Sequence, residues 1–163
     1  MSPIPESPRQ SLSAIDARIG IALGSGSARG WSHIGVLKAL AELGIRPGIV
    51  AGSSIGALVG AAYASHQQDE LESWVRSLDW KDIVGFLDLF VAAGGFIQGE
   101  KLLAFARSRM KDVAIESLPI PFGAVATELD TGREVWLRSG PLLEAVRASI
   151  SLPGLFTPIK LDG

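Results

Sequence analysis

Residues 49–64 read Ile49-Val50-Ala51-Gly52-Ser53-Ser54-Ile55-Gly56-Ala57-Leu58-Val59-Gly60-Ala61-Ala62-Tyr63-Ala64. Its centre reads G-x-S-x-G, from Gly52 to Gly56. A short apolar run precedes it, and a small-residue helical pattern follows it. Strand, sharp turn and helix form the context in which this motif presents a serine hydroxyl at the top of a sheet. The flanking glycines leave room for neighbouring backbone. The start of the helix supplies N–H groups beside the serine. Ser54 is therefore the candidate nucleophile.

On the N-terminal side, Arg18-Ile19-Gly20-Ile21-Ala22-Leu23 reads as a strand ending in Gly24-Ser25-Gly26-Ser27-Ala28-Arg29-Gly30. Trp31 to Leu43 has helical spacing, with Ile34, Leu37, Leu40 and Ala41 on one stripe and Val36 and Leu43 beside it. Gly44 stands where a helix C-cap belongs, and Pro47 blocks continuation. Toward the C-terminus, Asp69–Leu78 and Lys101–Met110 read as helices. Phe122–Thr127 and Glu134–Leu137 read as strands joined through Thr131-Gly132. Pro141–Ser149 reads as a helix opened by proline. Alternating strands and helices predict an α/β fold with a largely parallel central sheet flanked by helices.

The bulk numbers fit one domain. The chain has 163 residues, 47% of them hydrophobic, with a mean hydropathy of +0.31 and a net charge of −2. Basic residues are dispersed, which argues against a nucleic-acid partner. There are no cysteines, so disulfide and thiolate chemistry are excluded. Residues 1–17 are polar and proline-containing, without the apolar core of a secretory signal, and are expected to form a flexible tail. No run reaches the roughly 18 apolar residues of a membrane span. Ile83 to Ile97 comes nearest and reads as either a buried core segment or an apolar rim for lipid. A cytoplasmic protein, in contact with a membrane surface or not, is the expectation.

A serine nucleophile needs donors for a developing oxyanion, and a glycine-rich strand-to-helix loop can provide them. The candidate oxyanion hole is thus Gly24, Ser25, Gly26, Ser27, Arg29 and Gly30, with Arg29 as a brace or an attractor of an anionic head group. The same loop misses the dinucleotide fingerprint, because its spacing is G-x-G-x-x-x-G. A reductase is further disfavoured because Gln67 stands where a Tyr63-x-x-x-Lys pair needs its lysine. A serine also needs a base. His33 reads as a packed or capping residue and His66 as a solvent-exposed one. No later histidine exists, which argues against a Ser-His-Asp triad.

Four blocks then occur in order: the glycine loop at 24–30, Gly52-Ser53-Ser54-Ile55-Gly56, Ala126-Thr127-Glu128-Leu129 with Thr131-Gly132, and Arg147-Ala148-Ser149 with Leu152-Pro153-Gly154. Together they resemble the patatin-like phospholipases, in particular the bacterial group similar to the catalytic domain of neuropathy target esterase. The resemblance covers roughly residues 18–163. It implies a patatin-like three-layer architecture and a serine–aspartate dyad acting on lipid acyl esters, with neither metal nor cofactor. Residues 18–163 would be the N-terminal part of that domain. It makes Ser54 the nucleophile and the loop around Gly26 and Ser27 the oxyanion hole. The family's loop is often G-G-G-x-[KR]-G, and serines stand here at 25 and 27; a backbone donor survives that change. The family's catalytic aspartate lies in a D-G-G or D-G-A motif soon after the Pro-Gly segment. Here Leu161-Asp162-Gly163 matches the D-G turn that precedes that motif. The resemblance therefore implies a chain that stops before its base, the other assignment being Asp162 itself. The alternative function is an inactive fragment or pseudo-enzyme serving as a lipid-binding or interaction module. Head group, acyl length and oligomeric state stay open.

Overall fold

A computed structural model of the chain describes residues 19–79, 104, 106–108, 110, 112–152 and 158–161. The tail, the Ile83–Ile97 stretch, Pro153-Gly154 and Asp162 lie outside the described residues. Of the helix expected over Lys101–Met110, residues 104, 106–108 and 110 are described; the first four are helical and Met110 lies in a bend.

The described residues form a four-stranded sheet in the order β1-β2-β3-β4, where β1 is Gly20–Leu23, β2 Ile49–Ser53, β3 Phe122–Thr127 and β4 Glu134–Leu137. β1 and β3 both run parallel to β2, and β4 closes the sheet antiparallel to β3. The helices are α1 (Ser32–Glu42), α2 (Ile55–Ala64), α3 (Gln68–Ser77) and α4 (Leu142–Ile150). This is the α/β fold with a mostly parallel sheet expected from the alternation of strands and helices.

Strand alternation sorts the core. Leu23, Val50, Gly52, Phe122 and Ala124 share a face and are buried, as period-two side-chain geometry requires. Helix α2 packs on that face. Nine of its ten residues are buried, which its composition of Ala, Gly, Val, Leu and Ile permits on every side. Helix α4 buries the stripe Leu142, Leu143, Ala145, Val146 and Ile150 against the same core.

Helix α1 ends as Gly44 announces. Gly44 has φ 77°, its N–H donates to the Ala41 carbonyl at 3.0 Å, and the Ile45 N–H reaches the Leu40 carbonyl at 2.8 Å. That pair of bonds is a Schellman close, which favours glycine at the left-handed position. The predicted stripe on α1 is only partly inward. Ile34 and Leu37 are buried, Leu40 is half-buried and Ala41 is exposed, as are Val36 and Leu43. Helix α3 begins with Asp69 and Glu70 and ends with Arg76, charges that complement its dipole. Lys38 on α1 meets Glu72 on α3 at 2.7 Å, and Arg76 meets the same carboxylate at 2.8 Å. Trp31 and Trp74 join the two regions edge to face, with ring centroids 5.8 Å apart.

Because β1, β2 and β3 are parallel, their carboxyl ends share one edge of the sheet. The glycine loop after β1, Ser54 after β2 and Glu128 after β3 all follow strands that end there. Open α/β sheets bind ligands at that edge.

Candidate active site

The site is built on the passage from β2 into α2. Ser53 closes the strand, Ile55 opens the helix, and Ser54 alone makes the turn, with φ 55° and ψ −120°. A serine in this region of backbone space stores about 1–3 kcal/mol of strain, held in place by its surroundings. The helix does not use the Ser54 side chain as a cap; the Ser54 carbonyl accepts from Ala57 at 2.9 Å and Leu58 at 3.2 Å instead. The Ser54 hydroxyl makes no hydrogen bond with the described residues, and the residue is half-buried. Ala57 is the first residue of α2 whose N–H is taken by an intrahelical carbonyl. The N–H groups of Ile55 and Gly56 come before it, at the positive end of the helix dipole.

The surroundings that hold the strain are close-packed backbone. A methyl group on Gly52 would stand 2.5 Å from the Gly56 carbonyl carbon and 2.6 Å from the Ala57 Cα. One on Gly56 would collide with the Leu23 carbonyl oxygen and stand 2.5 Å from that of Gly24. The first glycine lets the helix fold back on its own strand, and the second lets it slide beneath the end of β1. Between them they set how closely α2 lies against β2 and the end of β1.

The glycine loop is attached to this elbow directly. Ser27–Trp31 forms a turn of 3-10 helix. Gly30 is buried against Ile55, whose Cγ2 would lie 2.6 Å from a β-carbon there. Within the loop the Arg29 N–H donates to the Gly26 carbonyl at 2.9 Å, and the Arg29 side chain is exposed. Gly24, Ser25 and Gly26 are exposed, and Ser27 has φ 48°. Ser27 thus occupies backbone space where glycine is the cheaper residue.

The two histidines separate. His33 lies in the first turn of α1 and bonds the loop, with Nε2 2.9 Å from the Gly24 carbonyl oxygen. It caps no helix, since α1 has no side-chain cap; its ring instead ties α1 to the glycine loop. His66 is exposed, with φ 58°, where α2 ends.

One residue of the site had no role assigned from the sequence. The Ser149 hydroxyl accepts the Ser54 N–H at 2.8 Å and donates to the Val125 carbonyl at 2.5 Å. A signal for it exists: Ser149 falls three residues after Val146 and seven after Leu142, on the buried stripe of an amphipathic helix. A hydroxyl there requires polar partners. Elsewhere, Arg107, Asp112, Glu144, Arg147 and Lys160 help line a cavity of about 390 Å³, and no residue of the elbow or glycine loop borders it.

Comparison with known proteins identifies the family of the chain. Residues 21–163 match the family model described as patatin-like phospholipase. An uncharacterized NTE family protein of Mycobacterium bovis is 47% identical over 146 residues, spanning 90% of this chain and 41% of the relative. The neuropathy target esterase of Drosophila melanogaster is 34% identical over 146 residues, covering 86% of this chain and 10% of its own length. Patatin-like phospholipase domain-containing protein 6 of Mus musculus is 34% identical over 146 residues, 86% of this chain and 11% of that protein. The chain thus spans about two-fifths of the mycobacterial relative. On the family model and these identities, the chain belongs to the patatin-like phospholipase family.

Proposed function

We propose that this chain carries the nucleophile and the oxyanion-binding elements of a serine lipid acyl hydrolase, an esterase of phospholipase or lysophospholipase type. The observation that carries the reading is Ser54, held at φ 55° and ψ −120° between β2 and α2, where its side chain does not cap the helix and no described residue bonds its hydroxyl. The family membership and the relatives named as esterases support it. Ser54 Oγ attacks the acyl carbonyl carbon and forms an ester bond. Its proton passes to an aspartate carboxylate, and the carbonyl oxygen takes the negative charge. N–H groups at the start of α2 and along Gly24–Gly30 receive that charge; losing one such donor typically costs about 10²–10³ in rate. Collapse of the intermediate expels the alcohol, which takes the proton. Water then attacks the acyl-serine, the base accepts its proton, and Ser54 regains its own as the fatty acid leaves. The aspartate is Asp162 or one that follows the Pro-Gly segment in a longer chain.

The exposed Arg29 beside the loop suits a substrate with an anionic head group, and action at a membrane surface fits a lipid substrate. Among the described residues, no helix is long and apolar enough to cross a membrane. The test is labelling of the full-length protein by a fluorophosphonate probe, with Ser54→Ala as the comparison. Labelling confined to the wild type supports the reading. Labelling that persists in Ser54→Ala, or a wild type that never labels, sinks it, and the second result favours a non-catalytic lipid-binding module.

A further inference from the structure

We propose that Ser149 is a positioning residue for the nucleophile: its hydroxyl adds a side-chain rung to the sheet at the point where β2 leaves it, and so holds Ser54 in its strained conformation. This inference rests on Ser54 being the nucleophile. The ladder between β2 and β3 ends with Ser53 opposite Val125. One residue later the chain turns into α2, so the Ser54 N–H points where no strand carbonyl can meet it. The Val125 carbonyl lies on the neighbouring strand at the same level. Ser149, arriving from α4, inserts one oxygen between them. A carbonyl can only accept and an amide N–H can only donate, so both bonds of the hydroxyl are directed: the proton goes to Val125 and a lone pair to Ser54. The two contacts, 2.5 and 2.8 Å, are both short, and both partners are part-buried. Water would have to enter the packed space between α2, α4 and β3 to replace them.

The rung ties three elements to one oxygen. The glycine contacts at Gly52 and Gly56 govern the height of α2 above the strand, but they leave the Ser54 peptide free to rotate about its flanking torsions. The Ser149 bond removes that rotation, because the N–H direction is part of the same peptide plane. Relaxation of the peptide would swing the Ser54 Cα–Cβ bond away from the sheet edge. It would also turn the following N–H groups, which the reaction needs for the oxyanion. Ser149 therefore acts on the transition state through Ser54 rather than through substrate.

The experiment compares wild type, Ser149→Ala and Ser149→Thr in the full-length protein, with hydrolysis of a short-chain p-nitrophenyl ester as the activity. Ser149→Ala is expected to lower kcat about 10- to 100-fold, the range that follows from unpairing a part-buried donor and acceptor, with KM changed less than about twofold. Ser149→Thr keeps the hydroxyl and is expected to recover most of kcat. A second readout is exchange of the Ser54 amide proton, expected to speed up in Ser149→Ala relative to the α2 interior. Wild-type kcat in Ser149→Ala overturns the proposal, as does equal loss in both variants with unchanged Ser54 exchange. A wild type without Ser54-dependent activity defeats the hydrolase reading instead; amide exchange then decides the clamp by itself. If Ser149→Ala fails to fold, a Ser149→Thr variant that folds but lacks activity counts against the proposal.

Discussion

Gly56 lies directly beneath the carbonyl group of Leu23, so that a single methyl group at its α-carbon has no space to occupy. The obstruction is backbone of β1 and of the glycine loop, and neither can rotate away as a side chain would. Gly56→Ala is expected to destabilise the fold by about 3 kcal/mol, the upper part of the range for overpacking. It should also lower the reactivity of Ser54, because relief comes by lifting α2 off the strand. Gly35→Ala is the control. Gly35 is exposed within α1 and a β-carbon there meets nothing within 4 Å. Alanine should stabilise that helix by about 0.5–1 kcal/mol. Urea denaturation of the two variants distinguishes close approach from propensity; similar midpoints would refute the argument.

His66 closes α2 in the manner that Gly44 closes α1. Its N–H donates to the Tyr63 carbonyl at 3.1 Å, and the Gln67 N–H reaches the Ala62 carbonyl at 2.7 Å. The left-handed position of this Schellman close therefore carries a residue with a β-carbon, at φ 58°. Its side chain is exposed and bonds nothing among the described residues. His66→Gly relieves about 1–2 kcal/mol of backbone strain and gives back part of it through unfolded-chain entropy. The net expectation is stabilisation by about 0.5–1 kcal/mol, seen as a Tm raised by about 1–3 °C. A lower Tm would show that the imidazole has a role of its own.

How far the sequence was legible follows from the range of the signals. The turn at Ser54 is written in five consecutive residues, because a strand meeting a helix at a sharp angle needs small residues on both sides. The bounds of α3, Gln68–Ser77 against an expected Asp69–Leu78, came within one residue since charges and apolar spacing both mark them. Helix α1 was harder. Its apolar residues span more than one face, and spacing alone did not tell that Val36 and Leu43 would stand exposed, at 48% and 67%. Ser149 was the hardest. Its partner Ser54 lies 95 residues away, and only the packing of α4 against the elbow brings them together. A motif quoted as a block in order does not disclose which of its atoms holds which.

Glu72 supports α3 against α1 in a way that pH should expose. Hydrogen bonds from Lys38 first, and then from Arg76, hold its carboxyl below the ordinary glutamate range. A depressed folded-state value means that the unfolded chain takes up a proton first as pH falls. The contribution is therefore fully present above the unfolded glutamate value and disappears as pH drops through the folded one. Glu72→Gln should lower Tm at neutral pH by a small amount, since the pair is surface-placed and screened. The difference between variant and wild type should shrink below the ordinary glutamate range. Raising salt at neutral pH should shrink it too. A Tm gap that persists unchanged in acid would place the effect in the shape of the side chain and not in its charge.

His33 connects α1 to the candidate oxyanion loop. The Gly24 carbonyl can only accept, so the His33 ring donates from Nε2 across 2.9 Å. Gly24 itself is exposed, and a β-carbon there would meet nothing within 4 Å. The Gly24 carbonyl rests close above Gly56 on one side, and the histidine bond adds a directed hold on the same oxygen. A loop that wanders loses the alignment of its N–H groups, and a hydrogen bond of this kind contributes about 0.5–1.5 kcal/mol net. His33→Ala is therefore expected to lower kcat/KM about 3- to 10-fold, with Tm close to wild type because the bond is at the surface. His33→Gln offers an amide donor on a longer, unbranched stem and should recover part of the loss. His33 would be serving as the base itself if activity vanished in both variants while the fluorophosphonate no longer reacted with Ser54. Partial loss in His33→Ala and partial recovery in His33→Gln would instead assign it to the loop.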